Sequence, residues 1–190
     1  MSKTICVFCA SSDQVDPVYF AVARQMGHGI GCSGHRLVWG GGRVGLMGEL
    51  ARSTRAAGGH LIGVIPESLR KAEVAYMEAD ELIVTADMRQ RKHVMDQRAD
   101  AFVVLPGGFG TLEELSEILV QKILGYTDRP LVILNSMGFY DKLLELFEHF
   151  IVQGFARQKH RTLYHVVSQV EEALAVIEAS TTDCRRARNG

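Results

Sequence analysis

The chain has 190 residues, 47% of them hydrophobic, and a formal net charge of -1 at pH 7. This balanced charge argues against a nucleic-acid backbone as the main partner, and no apolar stretch approaches the roughly 18–20 residues of a membrane span. The N-terminus enters a strand-like run without the cleavage site of a signal peptide, so we expect a cytoplasmic protein. The length suits one domain over residues 1–180, followed by a short flexible tail at residues 181–190.

Four cysteines are present, but their spacing predicts neither a disulfide framework nor a metal site. Cys6 and Cys9 form a C-x-x-C pair in an extended segment, where positions three apart point to opposite faces. No second pair of cysteines or histidines completes a zinc set, and the seven histidines show no H-E-x-x-H spacing. We therefore expect buried free thiols and no bound metal.

Apolar runs typical of strands alternate with stretches typical of helices. The predicted strands are residues 4–10, 36–39, 60–65, 81–85, 101–105 and 131–134, and residues 164–167 are a candidate for a short seventh. The predicted helices are residues 17–30, 46–57, 87–98, 111–124, 139–153 and 170–178. Several strands are continuously apolar, which favours a parallel sheet covered on both faces. The order predicts a Rossmann-like, doubly wound α/β fold, in which ligands bind beyond the carboxyl ends of the strands.

Two of the predicted strands lead into small-residue loops at that edge of the sheet. Ser11 and Ser12 follow the first strand, where their hydroxyls can donate to a ligand or simply form a turn. A cluster that includes Gly41 and Gly42 follows the second strand and precedes a helix. One glycine loop is commonly a tight turn, but a second glycine-rich turn follows the strand at residues 101–105, and two such loops at the same edge indicate a binding site.

The predicted helix at residues 87–98 carries two basic side chains near its apolar stripe. Met88 and Met95 are seven positions apart and should mark the side that faces the core. Arg91 and Lys92 fall on or beside that stripe, whereas Arg89 turns away. A basic group that points inward needs an anionic partner or a route to water. A structural ion pair is the alternative to a role in binding.

The segment at residues 101–114 is the most informative in the chain. Its apolar run stops at Pro106, and three glycines follow before Thr111 opens a predicted helix: Gly107, Gly108 and Gly110. A strand that feeds a glycine-rich turn at a helix N-terminus is a ready anion site. Glu113 and Glu114 lie just behind it, and a carboxylate beside a phosphate cradle indicates chemistry on a phosphorylated substrate. The alternative is a T-x-x-E capping box formed by Thr111 and Glu114.

These two segments together resemble the LONELY GUY (LOG) family, also labelled "lysine decarboxylase-like". The helix carries M-x-x-R-K-x-x-M from Met88 to Met95, and the glycine turn carries P-G-G-x-G-T-x-x-E from Pro106 to Glu114. The likeness covers roughly the first 150 residues. It implies a Rossmann-like homodimer that hydrolyses the N-glycosidic bond of cytokinin riboside 5′-monophosphates, with AMP as a slower substrate and no cofactor.

The resemblance also assigns roles to residues. Arg91 and Glu114 would form the catalytic pair, and Glu73, eighteen positions before Arg91, would be a substrate-contacting acid. The other substrate-binding candidates are Ser12, Gly41, Gly42, Lys92, Gly107, Gly108, Phe109, Gly110 and Thr111. Where many members have Thr-Trp this chain has Val120 and Gln121, so the preferred base stays open.

The implied chemistry suits these side chains. Cleavage of an N-glycosidic bond passes through an oxocarbenium-like transition state, which Glu114 as a carboxylate can stabilise or supply with activated water. We expect Arg91 to orient Glu114 and to hold it ionised by lowering its pKa. Whether Arg91 or water protonates the leaving base is open.

Other functions are weighed against this one. A pyridoxal phosphate decarboxylase needs a Schiff-base lysine and a domain to enclose the cofactor. A dinucleotide oxidoreductase needs G-x-G-x-x-G, which neither glycine loop spells. A nucleotide-sensing module without hydrolysis would use the same loops but leave Arg91 and Glu114 unexplained.

The helix at residues 111–124 is apolar over more of its circumference than one sheet face requires. Such a helix usually packs on a second partner, and two-fold dimers are the commonest solution. We therefore expect an obligate homodimer built on this helix and on residues 87–98, which a charge at Ile118 or Leu119 should dissociate.

Overall fold

The structure is a computed structural model that describes the backbone of residues 1–71 and 74–186 and the side chains of residues 1–70 and 74–180. Seven strands form one sheet in which every neighbouring pair is parallel. They are β1 (Thr4–Phe8), β2 (Arg36–Trp39), β3 (His60–Pro66), β4 (Glu81–Thr85), β5 (Ala101–Val104), β6 (Leu131–Leu134) and β7 (His165–Val167). The strand order β4-β3-β2-β1-β5-β6-β7 confirms the doubly wound fold and the seventh strand.

Helices fill the connections between the strands. They are α1 (Pro17–Cys32), α2 (Gly45–Ala56), α3 (Glu67–Lys71), α4 (Met88–Arg98), α5 (Phe109–Ile123), α6 (Asp141–Val152) and α7 (Val170–Arg186). The sequence did not predict α3, because five residues are too few to show helical periodicity. The backbone of α7 continues past the predicted end at residue 178, into the segment expected as a tail.

Each face of the sheet is covered by its own layer of helices. Side chains of α1, α2 and α7 form one core with the sheet, and side chains of α4, α5 and α6 form the other. Cys6 belongs to the second core and Cys9 to the first, which confirms that the C-x-x-C pair points to opposite faces. Both are buried free thiols, whereas Cys32 is free and exposed.

The chain winds outward in both directions from β1 and β5, so the loops that leave these two central strands diverge. Before they part, the Leu105 amide donates to the Phe8 carbonyl over 2.9 Å and the Ala10 amide to the Pro106 carbonyl over 3.3 Å. Adjacent parallel strands whose loops diverge leave a crevice at their carboxyl ends. The predicted site residues lie around this crevice.

No helix in the described ranges is long and apolar enough to cross a membrane. No group of three or more histidine, cysteine, aspartate or glutamate side chains in these ranges is arranged to hold a metal ion.

Candidate active site

A cleft of about 470 Å³ opens at the crevice between β1 and β5. Its walls come from the loops after β1, β2 and β5, from the end of β3 and from α2, α3, α4 and α5. The predicted site residues that line it are Ser12, Gly42, Arg91, Gly108, Phe109, Gly110, Thr111 and Glu114. Gly41, Lys92 and Gly107 are not among the residues that line it. Glu73 lies outside the described residues.

The floor of the cleft carries a buried ion pair. Nη1 of Arg91, on α4, lies 3.1 Å from Oε1 of Glu114, on α5, and both side chains are 9% exposed. Nε of Arg91 donates to the backbone carbonyl of Val64, at the end of β3, over 3.1 Å. The guanidinium is therefore held by two elements, and its position fixes that of the carboxylate.

Burial decides the protonation of this carboxyl. It raises the pKa of Glu114 to about 7, and the Arg91 guanidinium, which favours the ionised form, does not cancel that effect. The nearby Glu113 carboxylate raises the pKa further. Arg91 lowers the pKa of Glu114, as we expected, but it does not hold the carboxyl fully ionised at neutral pH, because the loss of hydration outweighs the ion pair. A carboxyl with a pKa near 7 can take up or give up a proton at physiological pH.

The glycine loop after β2 makes room for the arginine. A Cβ atom at Gly40 would lie 1.7 Å from Nη2 of Arg91, so any larger residue there would displace the guanidinium. Gly45 has a φ of +59°, and a Cβ atom there would lie 2.5 Å from the backbone of Ser11. Glycines at these two positions thus let the loops after β1 and β2 approach each other and Arg91.

The N-terminus of α5 is open towards the cleft. The helix begins at Phe109 with Gly108 as its N-cap, and no described side chain caps it. Thr111 is therefore inside the first turn, and the capping box of Thr111 and Glu114 is wrong. The first backbone bond of the helix runs from the Leu112 amide to the Gly108 carbonyl, which leaves the amides of residues 109–111 without a backbone partner among the residues that the structure describes.

The glycines of this turn serve two purposes. A Cβ atom at Gly107 would lie 2.1 Å from Oγ1 of Thr111, so Gly107 lets Thr111 fold back against the turn. A Cβ atom at Gly108 or Gly110 would meet nothing within 4 Å. Glycine at these two positions is not required by the packing of the described residues, and it leaves open space beside the helix N-terminus.

Lys92 is turned away from the cleft floor. Its Nζ pairs with the carboxylate of Glu113 and, over 2.6 Å, with that of Glu117. Burial acts to lower the pKa of Lys92, but the two carboxylates outweigh it and raise that pKa. Lys92 is thus a fixed positive charge beside the first turn of α5.

The segment that follows the undescribed residues borders the cleft. The Arg43 amide donates to the Val74 carbonyl and the Tyr76 amide to the Gly41 carbonyl, each over 2.8 Å. These bonds fasten Val74, which lines the cleft, to the loop after β2. Gly41 has a φ of +71° and packs against Val64 and Ile65, so it shapes the loop from behind.

One wall of the cleft is apolar, a feature that the motifs did not reveal. It consists of Val44, Met47, Ile65, Leu69, Val74 and Met88. Met88 is 45% exposed, whereas Met95 is buried in the core. Our prediction that both methionines face the core was therefore wrong for Met88, because it is the first residue of α4 and projects past the edge of the sheet.

The chain is similar to several known proteins in sequence and in fold. Residues 47–177 match the model of a family described as "Possible lysine decarboxylase". The chain is 42% identical to the cytokinin riboside 5′-monophosphate phosphoribohydrolase of Rhodococcoides fascians, covering 93% of this chain and 90% of that one. It is 40% identical to the protein of the same name from Mycobacterium tuberculosis, covering 90% and 91%. A solved molybdenum cofactor binding protein from Rippkaea orientalis has the same fold, with a TM-score of 0.73, 22% identity and coverage of 95% and 98%.

Proposed function

Since this chain belongs to the LONELY GUY (LOG) family, we propose that it hydrolyses the N-glycosidic bond of cytokinin riboside 5′-monophosphates, and of AMP, to the free base and ribose 5-phosphate. The observation that carries this proposal is the juxtaposition of a buried carboxyl with a pKa near 7 and an open helix N-terminus. The first suits chemistry at a sugar carbon, and the second suits a phosphate.

The 5′-phosphate binds at the start of α5 in this proposal. Within the described part of the chain, the amides of residues 109–111 have no backbone partner. The helix dipole favours an anion there, and Gly108 and Gly110 leave space for its oxygens. Ser12 and Thr111 add hydroxyl donors to the lining. Lys92 adds positive charge from behind. Gly41, Gly42 and Gly107 shape the two loops.

The ribose then lies over Glu114. As the N-glycosidic bond breaks, positive charge develops at C1′, and the Glu114 carboxylate stabilises that charge or activates the attacking water. Arg91 holds the carboxylate in place through the 3.1 Å ion pair. Binding of the remote phosphate positions the ribose and so contributes to the rate as well as to affinity.

The base, with its apolar substituent, faces the apolar wall. Leu69 and Met88 are partly exposed side chains of that wall, and an isoprenoid group on the base would cover them. AMP lacks this group and would leave them in water, which supports slower turnover of AMP. Glu73, which the family resemblance assigns to substrate contact, stays a prediction.

The description of the matching family raises the question of lysine decarboxylation. A pyridoxal phosphate enzyme needs a lysine that reaches the cofactor. None of the described lining residues is a lysine, and Lys92 is engaged by Glu113 and Glu117. A nucleotide sensor would explain the helix N-terminus but not the burial of Glu114 beside Arg91. Hydrolysis explains both.

The enzyme acts as a homodimer in this proposal, and α5 supplies the contact. Exposed apolar side chains run along it at helical spacing: Phe109, Leu112, Val120, Ile123 and Leu124. Ile118 is instead 3% exposed and belongs to the core of its own chain, so it does not test the interface. The exposed face of α4 is polar apart from Met88, so it contributes little to the proposed dimer contact. A cytoplasmic location stays a prediction.

One experiment tests the activity. Purified protein is incubated with isopentenyladenosine 5′-monophosphate or AMP, and the products are separated by chromatography. We expect free base and ribose 5-phosphate in equal amounts. Recovery of intact nucleotide after tight binding would favour a sensor, and release of nucleoside and inorganic phosphate would indicate a phosphatase.

A further inference from the structure

Tyr140 lies beneath the proposed phosphate-binding turn although no sequence motif points to it. It follows β6 and immediately precedes α6, and it is 5% exposed. Its hydroxyl donates to the backbone carbonyl of Leu105 over 2.7 Å. Its ring packs edge-on against Phe139, with the centroids 4.8 Å apart. A buried tyrosine whose hydroxyl reaches another loop links the two loops directly.

That carbonyl belongs to the first residue after β5. The Leu105 amide is bound to Phe8 and the Pro106 carbonyl to the Ala10 amide, so the Tyr140 hydroxyl completes the backbone pairing of this stretch. Leu105 is fully buried, and without the hydroxyl its carbonyl would lose this partner away from water. The turn to Gly108, the N-cap of α5, starts from this point.

A strained turn delivers Tyr140 to this position. Met137, in the 3-10 turn Ser136–Gly138, has a φ of +56°, which L-residues other than glycine rarely adopt. The turn is fixed at both ends, because Oδ1 of Asn135 accepts from the Tyr140 amide over 2.7 Å and the Asn135 amide donates to the Val167 carbonyl over 2.8 Å. Strain of this kind persists only where the surroundings impose it.

We propose that Tyr140 is a positioning residue for the phosphate-binding turn. Its hydroxyl fixes the Leu105 peptide, and through it the path of the backbone that aims the amides of residues 109–111 into the cleft. The identity of the anion as a 5′-phosphate rests on the proposed function; the positioning role rests on the hydrogen bond and the turn. The role predicts an effect on phosphate-bearing ligands and none on ligands without phosphate.

The test compares Tyr140→Phe, which removes only the hydroxyl, with the control Tyr164→Phe, whose ring packs on Phe147 away from the cleft. Calorimetry gives the dissociation constants of ribose 5-phosphate and adenosine for each protein. We expect Tyr140→Phe to bind ribose 5-phosphate about tenfold more weakly, the typical effect of one hydrogen bond. The affinity of Tyr140→Phe for adenosine, and the affinities of Tyr164→Phe for both ligands, should match those of the wild type.

A lower melting temperature with unchanged affinity for ribose 5-phosphate would overturn the proposal, as would equal weakening for adenosine. So would a wild-type protein that does not bind ribose 5-phosphate. If Tyr140→Phe does not fold, Asn135→Ala replaces it, because this change loosens the turn and keeps the hydroxyl; it should weaken ribose 5-phosphate binding by a smaller factor. If the protein binds ribose 5-phosphate but leaves AMP intact, the proposed hydrolysis is contradicted. The dissociation constants of the wild type and Tyr140→Phe would still test the positioning role of Tyr140.

Discussion

Arg91 and Glu114 meet at 3.1 Å on the floor of the cleft, each 9% exposed, although they come from different helices. The carboxyl is buried deeply enough for its pKa to reach about 7, and the guanidinium still fixes its orientation. An oriented carboxyl that titrates near neutrality is suited to proton transfer or charge stabilisation at a reacting centre. The proposed hydrolysis therefore depends on Arg91 and Glu114.

The first prediction removes the acid. Glu114→Gln keeps an oxygen that can accept from Arg91 but cannot act as a carboxylate. Turnover should fall by about two or more orders of magnitude, as for other positioned acid–base groups, while the affinity for ribose 5-phosphate changes little. Steady-state kinetics and calorimetry measure the two. Glu145→Gln, a change at an exposed position of α6, is the control. Near-normal turnover of Glu114→Gln would show that the ion pair of Arg91 and Glu114 is structural and not catalytic.

The second prediction concerns pH. If the carboxylate is the active form, kcat/KM should rise about tenfold per pH unit below the pKa of Glu114, near 7, and level off above it. The contribution of Glu114 to the stability of the folded protein should instead decrease as the pH rises. The pKa of an unfolded glutamate is about 4.3, so the protonated folded form contributes stability that is present below that value and is lost as the pH rises through about 7.

Glu114→Gln provides the comparison for both pH effects. Its stability relative to the wild type, measured by denaturant unfolding at several pH values, should increase between about pH 5 and pH 7. A wild-type rate and a stability difference that are both flat over this window would show that Glu114 stays ionised throughout.

The third prediction separates two adjacent glycines. Gly108→Ala adds a methyl group that meets nothing within 4 Å, so the melting temperature should stay near that of the wild type. The methyl group should still obstruct the phosphate and raise KM for AMP by about tenfold or more. Gly107→Ala should instead destabilise the protein, because its Cβ would collide with Thr111. An unchanged KM in Gly108→Ala would show that the phosphate does not bind at this turn.

The fourth prediction concerns assembly. Ile123→Glu places a charge on the exposed apolar stripe of α5, where Ile123 is 45% exposed, and it should convert the proposed dimer into a monomer with reduced activity. Val18→Glu, a charge on an exposed apolar position of α1, should leave the mass unchanged. Light scattering at micromolar concentration gives both masses. An active monomeric wild type would contradict the dimer.

The fold could be predicted because its strands are continuous apolar runs and its breaks are marked by glycine and proline. The start of α5 was misplaced by two residues. Thr111 followed by Glu114 matches a capping box in sequence, but Gly108 takes the N-cap position and so releases both side chains for other contacts. Spacing alone does not distinguish a cap from a first-turn residue.

The motifs predicted which residues of the candidate site would come together, but they did not predict the surroundings of those residues. Arg91 and Glu114 follow from their motifs, but the raised pKa of Glu114 depends on its burial, which only the folded structure reveals. Tyr140 carries no motif because its role rests on a hydrogen bond from its hydroxyl to Leu105, thirty-five positions away. Long-range contacts of this kind leave no local pattern in the sequence.

The most direct measurement compares isopentenyladenosine 5′-monophosphate with isopentenyladenosine, which differ only in the phosphate. The rate of base release from each is followed by chromatography with the same wild-type protein. The account predicts rapid release of base and ribose 5-phosphate from the nucleotide and at least a hundredfold slower turnover of the nucleoside, because binding of the remote phosphate positions the ribose over Glu114. Equal rates for the two compounds, or no base from the nucleotide, would contradict it.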